Sequence, residues 1–170
     1  TARGLVRREA EKLALYCLGS ERVGIDDVEA VCGNDTGSTP DELADCVFGG
    51  EVEEADRLFH DLLRGGQDAG RLLGTVHMQA LKLAEFRLAI DRGATPDQVV
   101  KQARPPVFFR RQRLVIAQLR AWGLSDLVTA GSTLSANVLA ARQNAGLAEA
   151  IAGRCLLSLA RKGLSLRLDR

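Results

Sequence analysis

Residues 39–66 read TPDELADCVFGGEVEEADRLFHDLLRGG, and their punctuation decides the fold class. Thr39 is placed to cap a helix, and Pro40 follows at the first helical position, where its missing N–H costs nothing. Gly49 and Gly50 end that helix. A second begins at once, with Val52, Ala55, Phe59 and Leu62 along one stripe and Leu58 and Leu63 beside it, a three- and four-residue spacing that only a helix brings to one face. Gly65 and Gly66 close it. The stretch therefore predicts a tight helical hairpin with one apolar side.

Working outward, the same grammar repeats. In QDAGRLLGTVHMQALKLAEFRLAIDRG, Leu72, Val76, Leu83 and Ile90 sit at four- and seven-residue steps, and Leu73, Ala80, Leu81 and Ala84 broaden the face. TPDQVVKQA reuses the Thr-Pro-Asp opening of residue 39. RPPVFFRRQRLVIAQLRAW, LSDLVTAGSTLSANVLAARQN and LAEAIAGRCLLSLARKG follow as further helical segments. Upstream, Arg7–Leu18 puts Ala10, Leu13, Ala14, Cys17 and Leu18 on one face, and GIDDVEAVCG reads as a short helix capped by Asp26 and ended by Gly33. NDTGS, small and polar, is the clearest linker and sets a domain boundary near residue 37. No strand-like alternation persists. The expected fold is all-α, with residues 37–170 forming a compact helical bundle.

The 170 residues are 46% hydrophobic and 26% charged, the balance of a folded domain rather than a disordered chain. No apolar run is long enough to span a bilayer and none reads as a signal peptide. The chain opens TARG without methionine, which reads as an excised portion of something longer. Cys17, Cys32, Cys46 and Cys155 have no CxxC spacing and fit a reduced, cytoplasmic setting. The net charge of +1 hides an asymmetry: twelve acids against one base from Asp26 to Asp61, and six bases with no acid between Gln98 and Ser125. Opposite fields on two segments suggest oriented docking in an assembly, against the plainer reading of solvated helix faces.

Motifs for chemistry are missing from the sequence. His60 and His77 are the only histidines, no HExxH occurs, and the cysteines do not complete a zinc set. Neither a Walker A sequence nor GxGxxG is present, so no cofactor is expected. The GxxxG at Gly70–Gly74 means close helix packing at most. Asp41, Asp45, Glu53 and Asp56 read as the polar face of amphipathic helices, and nothing singles one out as a general acid.

The stretch RPPVFFRRQR, residues 104–113, combines aromatics with arginines and raises nucleic-acid binding as a reading. On a helix starting near Pro105 or Pro106, Phe108, Val115, Leu119 and Trp122 share one face, flanked by Phe109 and Ile116. Arg110, Arg113 and Arg120 fall on the other side. The expectation is that Phe108 enters the core and the arginines form an exposed basic stripe, whereas base stacking wants aromatics and cations together.

Taken in order, RREAEKLALY, GIDDVEAVCG, the 40–66 hairpin and PPVFFRRQRLVIAQLRAW resemble the second half of the delta subunit of bacterial DNA polymerase III, a clamp-loader subunit. Glu9, Glu11, Lys12, Leu13, Ala14, Leu15 and Tyr16 match the family's N-E-x-E-K-L-A-L-Y segment. Ile25, Val28 and Gly33, with Asp26 and Asp27, follow its I-x-x-x-D-V segment. Leu43, Val47, Gly50, Ala55, Leu58, Leu62, Leu63 and Gly65 fit its helical hairpin, and residues 105–111 its P-P-x-F-(F/W)-(R/K)-R. The resemblance implies that residues 1–36 are the tail of an AAA+ lid-like domain and 37–170 a collar domain. It implies a non-catalytic part that holds gamma/tau- and delta-prime-type subunits in a pentameric loader, with the clamp met only by an amino-terminal domain absent from this chain. DNA contact would be indirect or weak. Candidate contact residues are Arg110, Arg113 and Arg120 on the basic stripe and Glu51, Glu53 and Glu54 on the acidic hairpin. The alternative is a helical nucleic-acid-binding domain that uses residues 101–120.

Overall fold

The computed structural model describes residues 38–104 and 106–169, together with Ala10, Glu11, Ala14 and Leu15. The chain divides into two compact units, Thr1–Gly37 and Ser38–Arg170. In the first, the four described residues are helical and exposed. The remainder of the lid-like reading, including GIDDVEAVCG, lies outside the described residues.

The second unit is all-α. Its helices are α1 (Pro40–Gly49), α2 (Val52–Arg64), α3 (Ala69–Asp91), α4 (Pro96–Lys101), α5 (Phe109–Ala121), α6 (Leu124–Gln143) and α7 (Ala148–Leu168), with a 3-10 turn at Ala145–Leu147. No strand occurs among the described residues. The helix starts follow from capping. The Thr39 hydroxyl accepts from the Glu42 N–H while the Glu42 carboxylate accepts from the Thr39 N–H, and Thr95 and Gln98 repeat the exchange at α4. Asp68 caps α3 by accepting from the Arg71 N–H at 2.8 Å.

One core runs through the bundle. The long α3 packs most extensively on α6, and the C-terminal α7 lies against α1, α2, α3 and α6. Leu43, Val47, Phe48, Leu72, Leu73, Val76, Leu83, Leu119, Trp122, Leu127, Leu134 and Leu156 are essentially inaccessible. Each such side chain contributes roughly 1.5–3 kcal/mol by leaving water, so α7 closes the bundle through its apolar face. Of the predicted α3 face, Leu72, Leu73, Val76, Ala80 and Leu83 are buried, while Leu81 is exposed beside α6.

The close helix approach does not occur at Gly70–Gly74. A Cβ on Gly74 would meet nothing within 4 Å, and one on Gly70 only the side chain of the Asp68 cap, at 3.2 Å. It occurs instead where the corner after α1 meets α7. Gly50 has φ +74°, and a Cβ there would sit 2.4 Å from the Leu164 nitrogen; one on Gly163 would lie 3.1 Å from the Val47 carbonyl. The glycine pair that ends α1 is thus a docking point for the last helix, 113 residues later in the chain.

Gly50→Ala combines left-handed strain with a backbone clash and should cost about 2–4 kcal/mol. Gly66→Ala, at φ +84° with open space around it, should cost only about 1 kcal/mol. Urea unfolding of the two variants measures the difference, and equal losses would contradict the close approach.

Candidate interaction surface

Helix α5 carries three of the six predicted contact residues, and its placement starts from the prolines. The residue before a proline is pushed out of the helical region, so Arg104 resists helix formation. The helix begins only at Phe109. Phe108 stands at the N-cap with φ −55° and ψ 135°, and its backbone is outside the helical periodicity. The expectation that Phe108 enters the core is therefore wrong. Phe108 is 51% and Phe109 56% exposed, and Val107 is buried in their stead. The Val107 carbonyl accepts from the Gln112 side chain at 3.1 Å, which tethers this turn to the helix.

The phenylalanines also do not point away from the arginines. The two rings lie 4.8 Å apart and tilted by 56°, and the Arg110 guanidinium is 5.6 Å from the Phe109 ring centroid. That is cation–π range, with both groups on the open surface. Arg113, Leu114 and Arg120 are exposed farther along the helix. Arg113 and Arg120 make no ion pair with the described residues. The outer face of α5 is thus mixed, aromatic and basic, rather than a purely basic stripe.

Its inner face holds a polar knot that the sequence reading missed. Arg111 donates through Nε to Asp45 Oδ2 at 2.7 Å and through Nη2 to Asp45 Oδ1 at 3.0 Å, and its Nη1 pairs with Asp41 at 2.9 Å. Gln118, only 3% exposed, donates to the Asp45 carbonyl at 3.2 Å and to its carboxylate at 3.4 Å. Gln79 of α3 donates to Gln118 at 3.3 Å. Trp122, fully buried, gives its indole N–H to the Phe48 carbonyl at 2.8 Å and meets the Phe48 ring edge-on at 5.2 Å. Asp45, at 8% exposure, is therefore no member of a solvated face. Burial disfavours the charge on Arg111, but the Asp45 and Asp41 carboxylates outweigh it and hold its pKa above the ordinary value. Part of the opposite charge on the two segments is spent here, inside the domain. The available signal was helical: Arg111 and Gln118 are seven residues apart on the flank of the Val115–Leu119–Trp122 stripe.

The acidic candidates are less free than the sequence suggested. Glu54 is engaged by Arg57, whose Nε lies 2.8 Å away, and Arg57 also reaches Asp61, which Arg64 holds from the next turn. The hydrogen bond from Arg57 lowers the pKa of Glu54 below the usual carboxylate range. Glu51 stands at the N-cap of α2 and accepts from the Cys46 thiol at 3.5 Å. Glu53 is the exposed member that keeps no such partner. The basic and acidic sets do not converge on a single described site: Arg110, Arg113 and Arg120 belong to α5, and Glu51, Glu53 and Glu54 to the start of α2. His60 is exposed, with Nδ1 2.9 Å from the Asp56 carbonyl. Among the described residues no three His, Cys, Asp or Glu side chains gather as a metal set, and no helix is long and apolar enough to cross a membrane.

Beside the α5 entry, a cleft of about 810 Å³ opens between α3, α4 and residues 102–104, with Lys82, Glu85, Phe86, Arg104 and Pro106 on its walls. No family model, no curated protein and no solved structure matches the chain.

Asp45→Ala would leave Arg111 without its bidentate partner at a half-buried site and should cost about 3 kcal/mol, whereas the paired change Asp45→Leu with Arg111→Met should recover most of it. Urea denaturation of the single and double variants checks this. Burial and then the charge of Glu51 push the Cys46 thiol up to about 12. The protonated thiol's contribution to stability is complete below the free value of about 8.5 and is lost as pH rises through the folded pKa. Alkylation of Cys46 by iodoacetamide at pH 8.5, followed by peptide mass analysis, should run at least about 100-fold slower than that of a free thiol. Glu51→Gln should speed it.

Proposed function

We propose that this chain is a non-catalytic assembly module, part of a delta-type subunit of a bacterial clamp loader. Its helical domain, residues 38–170, docks against neighbouring subunits of gamma/tau and delta-prime type. The observation that carries the docking role is the two-sided character of α5. One side is pinned to α1 by Arg111, Gln118 and Trp122. The other projects Phe108, Phe109, Arg110 and Arg113 into solvent. Exposed aromatics and arginines are the side chains that most often anchor protein interfaces, because they bury large area at small entropic cost. A helix already held in place loses little further freedom on docking. The four sequence segments that resemble delta subunits, in the family's order, support the choice of assembly.

A second reading is favoured by one particular contact. Arg110 lies over Phe109 with Phe108 alongside, which puts aromatic surface and positive charge where a single strand would find both. In that reading the same face binds single-stranded nucleic acid, with bases on the phenylalanines and phosphates on Arg110, Arg113 and Arg120.

Two experiments separate the readings. Size-exclusion chromatography of this chain with gamma/tau- and delta-prime-type subunits should give a stable hetero-complex, and Arg110→Glu with Arg113→Glu should weaken it by about tenfold or more with helical content unchanged. Unchanged assembly at physiological salt would remove α5 from the interface. Fluorescence anisotropy with labelled single-stranded DNA tests the second reading. Binding that falls steeply with salt and is lost in Phe108→Ala with Phe109→Ala would favour it.

A further inference from the structure

Helix α4 and the residues just after it are held to the domain by packing alone. The helix is six residues long and buries one side chain, Val100, where α2 buries four. Val99 is half-buried, and Ala103, just beyond the helix, is buried. The capping bonds between Thr95 and Gln98 are internal to the segment. Among the described residues, no hydrogen bond or ion pair runs from residues 95–104 to another helix. Helix α5, by contrast, is tied to α1 through Arg111, Gln118 and Trp122, and to α3 through Arg87, whose Nη1 donates to the Leu119 carbonyl at 3.2 Å.

Both ends of the segment are breaks in the helical backbone. At the front, the Ala94 N–H donates to the Ala89 carbonyl at 3.1 Å, the last tie to α3. Gly93 stands there at φ +106°, and a Cβ on it would meet nothing within 4 Å, so no packing pins the turn. At the back, Arg104 precedes a proline and is kept out of the helical region, so α4 and α5 cannot join into one rigid rod. A short element with few buried contacts between two such breaks belongs to the low-stability end of a domain.

We propose that residues 94–104 form a hinged flap that opens as a unit while the rest of the domain stays folded. Opening has a consequence for the cleft beside α5. Val99, Gln102, Ala103 and Arg104 form one wall of that 810 Å³ space, and α3 forms the other. A recess of about 170 Å³ adjoins it, lined by Leu83, Val107 and Val115. Gln79, Lys82, Phe86 and Pro106 border both spaces. Phe86 is 7% exposed with the flap closed. Opening removes the outer wall of the cleft and lays bare this ring, so the flap controls access to the aromatic part of the cleft. Val100 is the latch, because it is the one side chain that α4 buries. The flap stands apart from both the assembly and the nucleic-acid readings, which rest on the outer face of α5.

Native-state hydrogen exchange of the full chain, in urea below the unfolding transition, separates flap from core. After correction for intrinsic rate, the amides of Val99, Val100, Lys101 and Gln102 should exchange at least about 100-fold faster than those of Val76 and Leu83 in α3. Their rates should barely respond to urea, because a small opening exposes little surface. Gly50→Ala, which loosens the corner between α1 and α7, should speed the α3 amides and leave the four flap amides as in the parent. Val100→Ala should speed the flap amides by about tenfold. If that variant does not fold, Gly93→Ala reads the same opening from the hinge, since its backbone strain is relieved when the flap swings out. Flap amides that match the α3 amides in rate and urea dependence overturn the proposal. So do flap amides that speed up together with the core in Gly50→Ala, or that neither the latch nor the hinge substitution changes.

Discussion

The bidentate pairing of Arg111 with Asp45 is the constraint on which the arrangement of the domain depends. Helices α1 and α5 are separated by sixty residues of chain, and little in either one's apolar pattern dictates how they should meet. The guanidinium fork does dictate it. Two parallel hydrogen bonds to one carboxylate set both the distance and the rotation between the helices. Gln118 then ties the same carboxylate and its backbone carbonyl to α5 a further two turns along, and Gln79 extends the network to α3. The indole of Trp122 fastens the far end to the Phe48 carbonyl. Polar groups in a core cost free energy unless all are paired, so only one relative placement of α1, α3 and α5 is compatible with this set.

That placement also explains the outer face of α5. Because Arg111 and Gln118 turn inward, residues on the opposite side of the helix turn outward, and the exposed stripe is whatever the sequence supplies there: Phe109, Arg110, Arg113, Leu114 and Arg120. The functional candidates are by-products of an internal ion pair. The same economy governs the charge asymmetry. Acidic and basic segments of opposite sign first satisfy each other inside the chain, through Asp41, Asp45 and Arg111, or within one helix, through Glu54, Arg57, Asp61 and Arg64. What remains for a partner is smaller than the sequence balance suggests.

Element positions were legible because their causes are local. Thr39 and Thr95 with the prolines after them, Asp68, and the Gly-Gly corners act within three or four residues, and the helices start and stop where these residues stand. The core was legible where a stripe was long. Val115, Leu119 and Trp122 are buried as their spacing requires. Phe108 was misjudged by extending that stripe backwards through a proline pair, past the point where helical geometry applies. Leu81 was misjudged for a different reason: apolar periodicity cannot show that a groove, rather than a neighbouring helix, faces part of the stripe. Gly70 and Gly74 formed a recognisable spacing without an approach, while Gly50 and Gly163 made an approach without a spacing.

The sequence by itself determined that the domain is all-helical, where most helices begin (the one after the Pro-Pro pair excepted), and most of the buried stripe, since caps, prolines and 3.6-residue periodicity work over a few residues of backbone. It also determined that Arg110, Arg113 and Arg120 lie on solvent. Only the tertiary structure decided which charges face each other. Asp45 and Arg111 are 66 residues apart, and Gly50 and Gly163 are 113 apart. A carboxylate's role depends on which cation folding brings within hydrogen-bond reach, and a glycine's on which backbone crosses it. Neither is written in the neighbouring residues, and both set which surfaces remain for a partner.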